Sequence, residues 1–281
     1  MSYRNDIEQA IRNFPAFPVS TQRILNLMNS PSLDYEKLEE AVRYDPGLTA
    51  NILRLANSAL FGVKRPVDSL HMAFVVLGEK KLFELVMAHI SLRMFDVELQ
   101  GYQHERQDFM RHSVWVGIAA EQFAQTLGIK TEETLFTAGL LHDIGKLVLD
   151  PFLLQEPEEM QASDVESTSE SFDKREERVL GINHNEAGAI LLEHWNLPSE
   201  IYAAVRFHHA PDCATAHKQL IEIVHVSDML AYAQSVGTGV KGVHYDLSEE
   251  ALVHLNLQAE TVEYVASQTV DEMKEVLDLL E

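Results

Sequence analysis

The chain has 281 residues with 22 Lys plus Arg against 44 Asp plus Glu, a formal net charge of −22 that disfavours nucleic acid and anionic membrane surfaces as partners. Apolar residues (46%) and charged residues (23%) occur at the frequencies of a globular protein. One cysteine, Cys213, excludes an internal disulfide, and no apolar run resembles a secretory signal or a membrane span, so a cytoplasmic location is expected.

Hydrophobic periodicity predicts an all-α fold. Asp45 and Pro46 are typical of an N-cap followed by proline at the first helical position, and Gly62 is the expected end of that helix. Its apolar stripe contains Leu48, Ile52, Leu55 and Leu60. Further helices are predicted over Glu105–Leu127, Thr131–Ile144, Asn185–Trp195, Ser199–His209 and Leu220–Ser235, with two short amphipathic helices between Ser248 and Leu280.

The composition changes near residues 100–104, where a region with few histidines meets one that contains most of the thirteen. We therefore expect two helical subdomains, over residues 1–100 and 101–240, followed by an acidic helical extension over residues 241–281. Between Asp246 and Glu281 the only basic residue is Lys274.

The second region places histidines and aspartates on the inward faces of five predicted helices: His112, His142, Asp143, His184, His208, His225 and Asp228. A single histidine on an apolar face is usually a hydrogen-bonded core residue, and a single buried aspartate is costly unless paired. Seven such residues would need many separate partners, whereas one or two divalent ions satisfy them together. Imidazole and carboxylate ligands suit iron, manganese or zinc, and two bridged ions suit hydrolysis of phosphate esters.

The sequence His142-Asp143-Ile144-Gly145-Lys146 resembles the HD superfamily of metal-dependent phosphohydrolases. The signature of that superfamily is a histidine, a His-Asp pair and a distant aspartate, which His112, His142, Asp143 and Asp228 match. The resemblance implies that the second region is an HD-superfamily helical bundle in which these four residues bind one metal ion.

The first region is similar to HDOD domains, the HD-related output domains of bacterial signalling proteins. Phe14-Pro15-Ala16-Phe17-Pro18 resembles their opening Leu-Pro-x-Leu-Pro motif, and Asp45–Thr49, Leu53–Ala59 and Val76–Gly78 continue the match. The resemblance covers roughly residues 10–235. It implies a regulatory module with signalling proteins as partners. The apolar face around Leu53–Phe61, which includes Asn57, is then either core or partner surface.

A further resemblance is to HD-GYP phosphodiesterases, which hydrolyse cyclic di-GMP and have three additional histidines, matched here by His184, His208 and His209. It implies a second metal ion with Asp143 as the bridge, Asp108 as an additional acidic ligand, and Lys146 beside a phosphate. The glycine- and tyrosine-containing loop of those enzymes is replaced here by residues 210–215, Ala-Pro-Asp-Cys-Ala-Thr, so the match does not extend to cyclic di-GMP hydrolysis.

Three hypotheses remain open. The first is a signalling module with a structural or sensory metal site, most consistent with two divalent ions, iron or manganese favoured over zinc, that binds a protein partner or a nucleotide. The second is a metal-dependent phosphohydrolase acting on a phosphodiester or nucleotide, in which Asp143 and Lys146 are catalytic and Arg206 helps to hold the phosphate. The third is a domain whose histidines are ordinary core residues. The sequence fixes neither the oligomeric state nor the substrate.

Overall fold

The computed structural model describes residues 3–14, 23–24, 27, 34–43, 45–58, 61–63, 65–105, 107–129, 134–156, 170–237 and 245–280. Within these ranges the chain is helical, and the only extended pairing is one bridge between Leu99 and His104, so the all-α prediction is confirmed. Residues 15–18 of the first motif, Ala59, Leu60 and the predicted cap Thr131 lie outside the described residues. None of the described helices combines the length and apolarity needed to cross a membrane.

The helices are numbered in chain order. They are α1 (Arg4–Asn13), α2 (Tyr35–Arg43), α3 (Pro46–Ala56), α4 (Leu70–Phe95), α5 (Asp108–Thr126), α6 (Leu135–Leu141), α7 (Lys146–Leu153), α8 (Phe172–Leu180), α9 (His184–His194), α10 (Ser199–Phe207), α11 (Lys218–Ala233), α12 (Glu249–His254) and α13 (Ala259–Leu280). A short 3₁₀ turn, Pro211–Cys213, separates α10 from α11.

By its internal contacts the chain divides into two compact units. The larger unit comprises Met1–Phe14 and Met94–Met273, and the smaller comprises Pro15–Arg93 and Lys274–Glu281. The subdomain boundaries expected from composition, at residues 100 and 240, stay a prediction.

In the smaller unit, α3 begins as the sequence predicts. Asp45 caps the helix by accepting a hydrogen bond from the backbone N–H of Leu48 at 3.0 Å. The helix ends at Ala56 rather than at Gly62, because the Asn57 side chain holds the chain that follows. Its amide donates to the carbonyls of Leu53 and Val67, both at 2.8 Å, and its oxygen accepts from the N–H of Val67 at 2.7 Å. Asn57 of the Leu53–Ala59 motif therefore connects the end of α3 to the backbone of Val67.

Helix α4 is interrupted at Gly78, whose backbone angles, φ 73° and ψ 170°, are not helical. A side chain at this φ is strained, so glycine is the residue that allows the chain to turn here. The backbone conformation at this position therefore explains the glycine of the Val76–Gly78 motif.

In the larger unit, glycines let the helices that surround the site approach closely. A Cβ on Gly139 of α6 would lie 2.8 Å from the Cα of Gly117 on α5, so neither position accepts a side chain without movement. A Cβ on Gly145 would overlap the carbonyl of His184 at the start of α9. These contacts bring α5, the turn after α6 and the N-terminus of α9 together around one point.

The predicted helices need further corrections. The Thr131–Ile144 prediction becomes α6, which ends at Leu141, so His142 and Asp143 lie in a turn before α7. A helix over Lys146–Leu153 follows that turn at once. At the C-terminus, α12 is short as expected, but α13 has 22 residues.

Candidate metal centre

Six elements of the larger unit contribute the predicted site residues. His112 lies on α5, the pair His142 and Asp143 lies between α6 and α7, and Lys146 is the first residue of α7. His184 begins α9, the pair His208 and His209 follows α10, and Asp228 lies on α11. All of these side chains are at most 3% exposed to solvent, and the structure brings all of them together.

The ligating atoms of His112, His142 and Asp228 form a first group, in which they lie within 4.8 Å of one another. The Nε2 of His112 is 3.3 Å from the Nε2 of His142 and 3.1 Å from Oδ1 of Asp228. The Nε2 of His142 is 3.5 Å from the same oxygen. Two imidazoles and a carboxylate therefore point at one small volume.

Asp143, His184, His208 and His209 form a second group with the same spacing. The Nε2 of His184 lies 3.2 Å from Oδ1 of Asp143, and the Nε2 of His208 lies 3.8 Å from it. The rings of His208 and His209 are adjacent, with centroids 4.0 Å apart.

The carboxylate of Asp143 lies between the two groups. Its Oδ1 faces His184 and His208, whereas its Oδ2 is 3.3 Å from the Nε2 of His142 and 3.7 Å from the Nε2 of His112. Oδ2 also accepts a hydrogen bond from Nζ of Lys146 at 2.5 Å. One carboxylate thus presents one oxygen to each group, which is the geometry that a bridging ligand requires.

Four of the histidines are oriented by hydrogen bonds from Nδ1. His112 donates to the carbonyl of Val236 at 2.9 Å, His142 to that of Gly139 at 2.6 Å, His208 to that of Val205 at 2.8 Å, and His184 to the carboxylate of Glu176 at 2.6 Å. Because these acceptors have no proton to give, Nδ1 carries a hydrogen in each ring, and Nε2 is the atom that faces the centre. This arrangement is typical of metal-binding histidines.

Several inward atoms lack a hydrogen-bond partner among the described residues. They are the Nε2 atoms of His184 and His208, both ring nitrogens of His209, and Oδ2 of Asp228. A buried polar atom that lacks a partner costs about 1–3 kcal/mol. A divalent ion in the second group would satisfy the Nε2 atoms of His184 and His208 and one nitrogen of His209, so the residues present fit metal binding.

The charges in the cluster shift its pKa values in opposite directions. Burial lowers the pKa of His142, but the Asp143 and Asp228 carboxylates outweigh it and raise the value to about 10. For His184, Glu176 and Asp143 likewise overcome burial and raise the pKa to about 9. Burial and the neighbouring imidazoles hold the pKa of both His208 and His209 well below the usual range, so this pair is neutral at neutral pH.

For the acids, burial raises the pKa, but hydrogen bonds and charges from neighbouring groups more than offset it. Lys146 and His142 hold the pKa of Asp143 well below its usual range, and His112 and His142 do the same for Asp228. Both carboxylates are therefore ionised at neutral pH and able to bind a cation.

Sequence reasoning missed the residues that support these side chains. Glu176 on α8 accepts three hydrogen bonds, from the backbone N–H of His184 at 2.8 Å, from Nδ1 of the same residue, and from the Tyr102 hydroxyl at 2.5 Å. Nζ of Lys146 lies 5.6 Å from the centre of the Tyr102 ring. Glu176 lies in a charged run that is typical of an exposed helix face, so no sequence pattern marked it as buried.

Two other predicted residues stand apart. Asp108, at the start of α5, belongs to neither group among the residues that the structure describes. Arg206 is a partly exposed residue in the last turn of α10.

Known proteins resemble this chain in sequence and in fold. The sequence model of the HDOD domain matches residues 14–211. An HDOD domain protein of unknown function from Geobacter sulfurreducens has a similar structure, with a TM-score of 0.64 and 21% identity over 97% of this chain and 95% of that one. A Marinobacter aquaeolei protein named "Putative signal transduction protein" gives 0.68 and 23%, covering 99% of this chain and 65% of that one.

A third structure, from Shewanella amazonensis, is named "Putative metal-dependent phosphohydrolase" and gives a TM-score of 0.59 at 16% identity, covering 94% of this chain and 96% of that one. At these identities the three structures support the fold alone. An uncharacterized protein of Treponema pallidum is 26% identical over 231 residues, which are 79% of this chain and 43% of that protein. The chain therefore spans less than half the length of this curated relative.

Proposed function

The chain belongs to the HDOD domain family, and we propose that it is a bacterial signal-transduction module whose buried histidine and aspartate groups bind divalent metal ions. Its partners in this proposal are signalling proteins or a ligand with a phosphoester. The observation that carries it is the set of inward-pointing ring nitrogens, four of them oriented by Nδ1 hydrogen bonds and several without another partner.

We propose two ions, one in each group, with Asp143 as the shared ligand. His112, His142 and Asp228 would bind the first ion, and His184, His208 and His209 the second. A ligand set of imidazoles and carboxylates without thiolate favours iron or manganese, with zinc as the alternative.

The buried charge supports a cation. Without an ion, the raised pKa values of His142 and His184 keep both rings protonated, and these two cations together with the ammonium of Lys146 balance the carboxylates of Asp143, Asp228 and Glu176. A divalent ion would replace those two protons and supply the same charge. A second ion would leave the centre positive, which would favour an anionic ligand such as a phosphate.

A metal-dependent phosphohydrolase acting on a phosphodiester or nucleotide is the second candidate. Divalent ions, when bound, polarise phosphoryl oxygens and lower the pKa of water. Asp143 would hold both ions at a fixed separation. Lys146 favours this candidate, because it places a buried ammonium beside the bridging carboxylate, where it could offset charge that develops on a phosphate.

Metal content tests the proposal. The full chain, prepared without a histidine tag and without oxygen, is compared with Asp143→Asn by elemental mass spectrometry. We expect about two equivalents of metal in the parent and a loss of most of it in the variant, since one carboxylate would serve both ions. Asp150→Asn is the control, because Asp150 is also buried but bonds to the N–H of Gly101 and belongs to neither group. Absence of stoichiometric metal in the parent after reconstitution would contradict the proposal.

Turnover separates the two candidates. The loaded protein is incubated with bis(p-nitrophenyl) phosphate and with a panel of nucleotides, next to Asp143→Ala. Turnover that Asp143→Ala abolishes would favour the hydrolase. A fully loaded protein without turnover on any of these probes would favour the signalling module.

A further inference from the structure

Part of the candidate metal centre lies beyond the segment that matches the family model. That match ends at residue 211, whereas Asp228 of the first group and the residues packed on the second group lie after it. Among these are residues 245–257, which we call the C-terminal strap. The strap includes α12, which begins after Ser248 and is capped by the Ser248 hydroxyl at the N–H of Ala251.

The first contact between the strap and the site is aromatic. The ring of Tyr245 is stacked on the imidazole of His209, with centroids 3.9 Å apart and planes at 15°. The ring of Tyr232, from α11, lies 5.1 Å from that of Tyr245 and 5.3 Å from that of His112. Among the described residues neither nitrogen of His209 has a hydrogen bond, and Nδ1 lies 3.6 Å from Oδ2 of Asp228, so the stack with Tyr245 is a principal contact that orients this ring.

The second contact passes through His225, a buried histidine that belongs to neither group. Its Nδ1 donates to the carbonyl of His208 at 2.6 Å, and its Nε2 accepts from the backbone N–H of Ser248 at 2.9 Å. The ring therefore joins the backbone of the histidine pair to the strap. The hydroxyl of Ser248 also donates to Asp212, just after the pair, at 2.8 Å.

The far end of the strap is attached to α11. Lys218 pairs with Glu250 at 2.5 Å, and His254 bonds through Nδ1 to the buried carboxylate of Glu222 at 2.8 Å. Lys218 and Glu222 lie on the same helix as His225 and Asp228. This helix therefore connects the strap to the histidine pair and to one ligand of the first group.

We propose that Tyr245 and His225 are positioning residues for His209 and His208, and that docking of the C-terminal strap is coupled to occupancy of the second group. The inference rests on the proposed metal centre. An ion bound by the pair would fix both rings in the orientation that Tyr245 and His225 already favour, and so would stabilise the docked strap. By reciprocity, the docked strap would raise the affinity of the second group for its ion.

A purely structural role for the strap predicts a different result. Loss of packing alone would lower the stability of the protein without distinguishing between the two groups. If Tyr245 instead positions His209, its removal lowers the affinity of the second group for its metal ion and leaves that of the first group unchanged. The aromatic ring without its hydroxyl is then sufficient for full affinity.

The test titrates the full chain with Co²⁺ and follows binding by calorimetry and by visible absorption, which reports the ligands of this ion. The binding step that His209→Gln removes is assigned to the second group. Tyr245→Ala is expected to weaken that step about 10-fold, the size of effect typical of outer contacts to metal ligands, and to leave the other step unchanged. Tyr245→Phe is expected to restore the affinity, because it keeps the stacked ring. Val253→Ala, 76% exposed on the same strap, is the control and should behave as the parent.

Hydrogen exchange of the strap provides the reciprocal measurement. Amides within residues 251–257 should exchange more slowly with Co²⁺ than without it in the parent, and the difference should disappear in Tyr245→Ala. A parent that binds no Co²⁺ would contradict the metal centre and the inference together. A parent that binds it, with Tyr245→Ala equal in affinity and with exchange unaffected by Co²⁺, would overturn the inference alone.

Discussion

The interiors of the two units differ in chemistry. In the smaller unit, the buried side chains that the structure describes are apolar apart from Ser91 and Glu84, and Glu84 is paired with Lys81 at 2.9 Å. In the larger unit the interior also includes many charged and imidazole groups. They are His104, His112, His142, Asp143, Lys146, Glu176, His184, His208, His225 and Asp228.

The two interiors are therefore stabilised by different interactions. An apolar interior is stabilised by burial alone and is insensitive to pH and ions. An interior of charges and imidazoles is stable only when each group has a counter-charge, a hydrogen bond or an ion. The proposed metal binding therefore concerns the larger unit, and conditions that change protons or metals should act there. Both tryptophans of the chain, Trp115 and Trp195, lie in this unit, so their fluorescence reports on it selectively.

Removing metal should produce the largest effect. A ligand at 1,000 times its dissociation constant stabilises the native state by about 4 kcal/mol, so a chelator should lower the melting temperature by about 10 °C. The loss should be seen in the unfolding transition followed by tryptophan fluorescence. An unchanged transition in the chelated protein would mean that the larger unit needs no ion to balance its interior.

Glu176→Gln should weaken metal binding by about 10- to 100-fold, because the amide cannot accept all three hydrogen bonds that orient His184 and its neighbours. Isothermal titration with Mn²⁺ measures the effect. Glu186→Gln is the matched control, since Glu186 lies on the same helix as His184 but pairs with Arg4 at the surface. Equal affinities in the two variants would remove the assigned role of Glu176.

The larger unit should also lose stability in acid through His104. Burial lowers the pKa of His104 from 6.5 to about 3, so below pH 6.5 the unfolded chain takes up a proton that the folded chain does not. The free energy of unfolding should therefore fall with pH, by about 2 kcal/mol between pH 7 and pH 5 from this residue. Denaturant unfolding followed by fluorescence measures it. His104→Phe should lack this part of the decrease, and a variant with the full decrease would contradict the assignment.

Asn57→Ala tests the smaller unit and should have the smallest effect. Loss of the three hydrogen bonds that hold Val67 and Leu53 should cost about 1–2 kcal/mol, since the site is partly solvated. Circular dichroism follows this loss, because neither tryptophan lies in this unit. Metal affinity should equal that of the parent. A change in metal content would show that the two interiors do not respond independently.

Local signals in the sequence predict part of the site, whereas His209 and the division into two groups were implied only by the resemblance to HD-GYP phosphodiesterases. The His-Asp pair before Gly145 and Lys146, and the inward positions of His112 and Asp228, follow from helical spacing. The supporting residues have no such signal. Glu176 reads as part of a solvated helix face, and Tyr245 lies in a segment without periodicity, because both acquire their roles from helices distant in the sequence.

The same reasoning explains the helix ends. Capping at Asp45 is a local interaction and was predicted correctly. The end of α3 depends on Asn57 reaching Val67 ten residues later, and the end of α6 on the approach of Gly145 to α9, so neither could be found from adjacent residues.

The most direct test of the central claim is anomalous X-ray scattering from crystals of the metal-loaded protein, measured at the absorption edge of the bound metal. The account predicts two peaks about 3.5–4 Å apart, one on each side of the Asp143 carboxylate. A single peak away from Asp143, or no peak in protein saturated with metal, would contradict it.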